Sequence, residues 1–109
     1  MTFIKFLYLL SSITMISTNT WLNIIGYAVT KVIIYTKDFC SYCTKAKALF
    51  NRKNIPFEEI NITGNSTLKD EMIQKSNGMK TLPQIFINDV HIGGCDDLYR
   101  LYESGQLKL

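Results

Sequence analysis

The chain has 109 residues, 47% of them hydrophobic and 19% charged, with 6 Gly, 2 Pro, 3 Cys and a net charge of +3 from twelve Lys plus Arg against nine Asp plus Glu. That is one domain large enough for a core, and the composition excludes the polar, highly charged regime of disorder. Three cysteines are too few for a disulfide-stapled secreted scaffold, and no stretch packs Lys or Arg densely enough to follow a phosphate backbone, so nucleic acid is set aside as a partner.

Residues 1–30 differ from the rest, since Lys5 is their only charged residue. A short apolar run, residues 6–10, is followed by a Ser/Thr/Asn-rich stretch and a second apolar run from Trp21. As a secretory signal the segment lacks an A-x-A-like cleavage site. As a membrane span it is diluted by Ser11, Ser12, Thr14, Ser17, Thr18, Asn19, Thr20 and Asn23. Neither targeting pattern is complete. The reading preferred is therefore a hydrophobic N-terminal extension, residues 1–30, arising for instance from a start codon assigned too early, before a catalytic domain at 31–109. It places the protein in the cytoplasm, with export or membrane association through residues 1–30 as the alternatives.

From Lys31 the pattern becomes regular. Val32, Ile33, Ile34 and Tyr35 predict a central strand buried on both faces. After the turn at Cys40 to Cys43, Ala46, Leu49 and Phe50 recur at helical spacing among Lys45, Lys47, Arg52 and Lys53, and Asn54 and Pro56 end that helix. Residues 57–62 alternate imperfectly and predict a second strand, completing a βαβ unit with a right-handed crossover. Ser66 is the expected N-cap of a second helix through Leu68, Met72 and Ile73, with Asp70 and Glu71 early in it, and Asn77-Gly78 as its end. Residues 83–87 predict a third strand, joined through the two-residue turn Asn88-Asp89 to a fourth at 90–92. Gly93-Gly94 breaks that strand, and Asp96, Asp97, Leu98, Leu101 and Tyr102 predict a last helix ending near Gly105. The order βαβαββα implies an α/β domain, a small mixed sheet with helices on both faces.

The chemistry is concentrated in Cys40-Ser41-Tyr42-Cys43, where the first strand meets the first helix. A thiol at a helix N-terminus faces unsatisfied N–H groups and the positive end of the dipole, and Lys37 adds a cation. A pKa lowered from about 8.5 gives Cys40 a thiolate fraction at neutral pH, and the thiolate is the form that attacks disulfide sulfur. Cys43, one helical turn on, is placed to resolve a mixed disulfide formed at Cys40. Cys40 is therefore the exposed nucleophile and Cys43 the more buried resolving thiol. Zinc sites use the same C-x-x-C spacing, and His91 with Cys95 could complete four ligands. The redox reading is preferred because this C-x-x-C lies between strand and helix of a βαβ unit and no second knuckle accompanies it. His91 then reads as a partly exposed hairpin imidazole.

Three segments, VIIYTKDFCSYCTKAKAL at 32–49, TLPQIFI at 81–87 and HIGGCDDL at 91–98, resemble the glutaredoxin family in its dithiol, bacterial glutaredoxin 3-like form. The W-C-G-P-C of thioredoxin is absent. The resemblance implies a thioredoxin-like fold, a four-stranded mixed sheet flanked by three helices, and a glutathione-dependent thiol–disulfide oxidoreductase. The implied partners are glutathione, disulfide-containing or glutathionylated proteins and, indirectly, glutathione reductase; the protein would act as a monomer.

The same resemblance implies site residues. Thr81-Leu82-Pro83 matches the family's T-V-P, whose proline is cis and lies beside the active site, leaving the Leu82 backbone free to pair with the cysteinyl unit of glutathione. Gly94 allows close approach, the N–H groups of Cys95 and Asp96 suit the γ-glutamyl carboxylate, and Asp96 or Asp97 suits the ammonium. Lys37 would meet the glycyl carboxylate, with Gln74 or Lys75 as weaker choices, and Tyr42 would border the groove. One departure matters: the family's C-P-Y-C is C-S-Y-C in this chain. Some relatives with Ser or Gly at that position resemble scaffolds that hold a [2Fe–2S] cluster between two subunits. This leaves a cluster ligated by Cys40 and glutathione as the alternative to a site without metal.

Overall fold

The apolar run after Lys31 becomes the strand β1 (Val32–Thr36), whose residues are buried except for half-buried Ile33. This computed structural model describes residues 31–108; Leu109 and residues 1–30, with the three readings of their apolar runs and the boundary at residue 30, lie outside the described residues. β1 is followed by α1 (Ser41–Arg52), β2 (Glu58–Asn61), α2 (Ser66–Lys75), β3 (Gln84–Ile87), β4 (Val90–Gly93) and α3 (Cys95–Glu103). The sheet order is β2-β1-β3-β4. β2 runs parallel to β1, with Tyr35 opposite Ile60, whereas β3 is antiparallel to it, with Ile34 opposite Ile85. The order of elements and the mixed thioredoxin-like sheet are as the sequence predicts.

Because side chains alternate across a strand, β1 serves two cores. Val32 and Ile34, with Ile85 and Ile87 of β3, pack on Leu49 and Phe50 of α1 and Leu98 of α3. On the other face, Tyr35 and Phe86 pack with Ile62 and with Met72 of α2. Thr36 extends β1 by one polar residue beyond the apolar run. Its burial is tolerable because its hydroxyl donates to Glu59 Oε2 at 2.6 Å, and Lys47 reaches the same oxygen at 2.8 Å. Both bonds hold the Glu59 carboxyl below its ordinary range, Lys47 more strongly than Thr36.

The expected cap of α2 needs correction. Asn65, not Ser66, is the N-cap: it is extended, its Oδ1 accepts the Leu68 N–H at 3.0 Å, and Ser66 is the first helical residue. The first turn of α2 consequently holds no acidic residue, so Asp70 and Glu71 lie beyond the dipole's short reach. Glu71 instead accepts the Tyr35 hydroxyl at 2.6 Å, and burial followed by that bond pushes the Tyr35 phenol well above its usual range.

Among the described residues, five non-glycine residues have positive φ: Phe39, Asn54, Asn77, Asn88 and Asp89. Asn88 and Asp89, at +51° and +68°, form the hairpin turn, which needs positive φ at both central positions. Asn and Asp tolerate this region, while for other side chains it costs about 1–2 kcal/mol. Among the described residues, no helix is long and apolar enough to cross a membrane.

Candidate active site

The loop between β1 and α1 delivers Cys40. Asp38 ties it to the end of β2, its N–H donating to Thr63 Oγ1 at 2.8 Å and its Oδ1 accepting from Asn61 Nδ2 at 2.9 Å. Cys40 is the N-cap of α1, in extended conformation, and its sulfur accepts the Cys43 N–H at 3.2 Å. The Cys43 N–H and the N-terminus of α1 thus point at the Cys40 sulfur. The sulfurs of Cys40 and Cys43 are joined as a disulfide, with their Cα atoms 5.2 Å apart. Cys43 is 2% exposed. Cys40 is half-buried rather than exposed, a correction to the sequence reading. Its side chain turns inward as a cap, and its Sγ lies 4.0 Å from the Leu82 carbonyl oxygen.

Beside this sulfur runs a groove of about 340 Å³. Thr81, Leu82 and Pro83, with a cis Leu82–Pro83 bond, form one wall together with Met79; Gly94, Cys95, Asp96 and Asp97 at the start of α3 form the other, and Tyr42 borders it. Eight of the eleven residues assigned to glutathione by resemblance are thus brought together. The other three are elsewhere. Lys37 lines an adjoining groove of about 520 Å³ that shares Leu82 and also contains Lys69 and Lys80. Gln74 is exposed on α2 and lines neither groove; Lys75, the other weak choice, pairs with Glu71 at 3.5 Å.

Two glycines set the second wall. A Cβ on Gly93, at φ +117°, would collide with the Asp97 carboxylate, and one on Gly94 would lie 3.4 Å from the Pro83 carbonyl oxygen. Asp97 Oδ2 accepts the Gly94 N–H at 3.0 Å and Oδ1 accepts from Arg100 Nη2 at 2.6 Å. The Gly94 bond, then that of Arg100, hold the Asp97 carboxyl below its ordinary value. Cys95 is buried, and burial raises its thiol pKa, so it serves the wall rather than a reaction.

Behind the first wall stands a network that sequence reasoning missed. Gln84 is fully buried, and its Nε2 donates to Thr81 O at 2.9 Å and to Thr81 Oγ1 at 3.1 Å. A backbone carbonyl can only accept, so the amide nitrogen must face Thr81 and Oε1 must face His91, 2.7 Å from its Nε2. His91 therefore carries a hydrogen on Nε2, and its ring lies tilted against Phe86, the centroids 5.1 Å apart. A glutamine inside an otherwise apolar strand is the one sequence signal that could have found this network. The four zinc candidates are not gathered: among the described residues, no group of three or more His, Cys, Asp or Glu could hold a metal ion.

The glutaredoxin family model matches residues 32–92, from β1 to the last strand. The chain belongs to the glutaredoxin family. This glutaredoxin is 54% identical over 76 residues to glutaredoxin 3 of Escherichia coli, covering 70% of this chain and 90% of that protein. It is 49% identical over 77 residues to glutaredoxin 1 of Rickettsia prowazekii, covering 70% and 81%. Its fold matches the solution structure of the Brucella melitensis glutaredoxin with TM-score 0.62 and 48% identity, covering 72% and 85% of the two chains. A buckwheat glutaredoxin–glutathione complex matches with TM-score 0.65 and 28% identity, covering 70% and 71%. The family and the paired cysteines make this glutaredoxin a thiol–disulfide oxidoreductase whose redox pair is Cys40 and Cys43.

Proposed function

We propose that this glutaredoxin reduces protein disulfides and glutathione mixed disulfides in the cytoplasm, with glutathione as electron donor. The observation that carries the proposal is the groove itself, in which a backbone edge at Leu82 and the N-terminus of α3 face each other beside Cys40. An extended peptide pairs with such an edge, and a carboxylate suits a helix N-terminus, whose first N–H groups have no partner within the helix. Cys95 and Asp96 supply those N–H groups for the γ-glutamyl carboxylate. Both Asp97 oxygens are already engaged, so exposed Asp96 is the freer partner for the ammonium. The glycyl carboxylate goes to Lys37, which Lys69 and Lys80 join in the adjoining groove. Tyr42 borders the cysteinyl unit. Gln74 is left without a role.

The Cys40 thiolate attacks the glutathionyl sulfur of a mixed disulfide; a bond forms between Cys40 and glutathione, and the substrate thiolate leaves and is protonated from water. A second glutathione thiolate attacks the glutathionyl sulfur bound at Cys40, releasing Cys40 and oxidised glutathione, which glutathione reductase returns to the pool with NADPH. With a protein disulfide, Cys40 forms a mixed disulfide with the substrate and Cys43 displaces it, leaving the Cys40–Cys43 disulfide and a reduced dithiol. Two glutathiones then reduce that disulfide. Cys40→Ser abolishes both activities, whereas Cys43→Ser retains deglutathionylation and loses dithiol reduction. Equal losses in the two variants contradict the division of roles.

The cluster alternative makes a separate demand. A [2Fe–2S] cluster takes four thiolate ligands, and one chain offers only half-buried Cys40, because Cys43 and Cys95 are both buried. The described residues of one chain do not fit a cluster by themselves. Colourless monomer from anaerobic purification with glutathione supports the redox reading; brown dimer supports the cluster.

A further inference from the structure

Four of the five non-glycine residues with positive φ among the described residues are Asn or Asp, the side chains that occupy this region most readily. The fifth is Phe39, at +56°, immediately before Cys40. A bulky aromatic gains nothing from that backbone conformation, and Phe39 is fully exposed at 105%, so no burial offsets it. Strain of this kind, held in place by the bonds of Asp38 to Thr63 and Asn61, points to function rather than stability.

Its surroundings indicate what it contacts. Phe39, Tyr42 and Met79 are three of the four exposed large hydrophobics among the described residues, and they line the two grooves that meet at Leu82. Phe39 shares its groove with Lys37, Lys69 and Lys80, none of which forms an ion pair among the described residues. Among the described residues the one carboxylate in that groove, Asp38, is hydrogen-bonded to Asn61.

We propose that Phe39 is the specificity contact for polypeptide disulfides, docking an extended acidic segment that presents a large apolar side chain beside the attacked cysteine. Building on the function proposed above, this names the substrate class. Glutathione has carboxylates for the lysines but no large apolar side chain for the ring, so Phe39 separates polypeptide substrates from glutathione adducts of small thiols. A rigid exposed aromatic supplies contact area at little entropic loss, as at interface hot spots.

The test uses the full chain reduced with dithiothreitol and desalted, in single turnover against two disulfide-bonded peptides of equal loop length. One carries Leu and Glu next to the attacked cysteine, the other Ser and Lys. The native protein reduces the Leu/Glu peptide faster. Phe39→Asn lowers that rate about tenfold, leaves the Ser/Lys peptide within about twofold, and unfolds at no lower temperature, because Asn suits this backbone. Phe39→Leu keeps most of the preference. An unchanged Leu/Glu rate in Phe39→Asn, or an equal fall on both peptides, overturns the proposal. Since no glutathione enters this assay, failure of the glutathione reading is seen separately, as lack of turnover of the glutathione–mercaptoethanol disulfide by the native protein.

Discussion

Replacing Gln84 with Leu removes the support behind the Thr81–Leu82 wall while nearly conserving volume. Three hydrogen bonds disappear, at 2.7, 2.9 and 3.1 Å. At a net value near 1 kcal/mol each they amount to about 3 kcal/mol. Thr81 is exposed and His91 half-buried, so both freed partners can turn to water, and the expected loss is about 2 kcal/mol. For a domain of this size that lowers Tm by roughly 8–16 °C. Thermal unfolding followed by circular dichroism measures it. Steady-state kinetics adds a second readout: the Thr81–Leu82 edge loosens, so KM for glutathione rises several-fold, while alkylation of reduced Cys40 by iodoacetamide keeps its rate. His91→Gln, which can still donate to Gln84 Oε1, stays closer to the native protein than His91→Leu by about 1 kcal/mol. A Tm change under 2 °C for Gln84→Leu, or a KM unchanged beside a slowed alkylation, refutes the reasoning.

The remaining predictions concern the start of α3. Because the Asp97 carboxyl is held below its ordinary value in the fold, the unfolded chain takes up this proton first as pH falls. Its contribution is therefore complete above the unfolded value near 3.9 and disappears as pH drops through the folded one. Urea unfolding across pH 2–7 shows Asp97→Asn with a shallower acid decline than the native protein, and a loss of about 1 kcal/mol at pH 7 from the weakened cap. Gly93→Ala combines an unfavourable φ of +117° with displacement of the Asp97 carboxylate, and urea titration shows a loss of roughly 2–4 kcal/mol.

Much of the fold was legible because its signals are local. The apolar run of β1, the helical spacing of Ala46, Leu49 and Phe50, and the Asn88-Asp89 turn all act through neighbours along the chain. The cap of α2 was misplaced by one residue because Asn65 and Ser66 have equal capping chemistry, and only the extended backbone at Asn65 selects between them. In the site, C-x-x-C was readable since both cysteines belong to one turn of one helix. Lys69, Met79 and Lys80 were not found, since none carries a motif: Lys69 comes from α2, and Met79 and Lys80 from the loop just before Thr81.

By itself the sequence determined the order of elements and the C-x-x-C redox pair, since propensity, capping and motif spacing are properties of short segments. Tertiary structure alone decided that Leu82 and Gly94, from different segments, face each other across one groove. It also placed Lys69 beside Lys37, and buried Gln84 between Thr81 and His91. The physical reason is that these contacts depend on how β3 pairs with β1 and β4 and on where the helices settle against the sheet, and burial and cross-strand pairing are fixed by the whole chain at once.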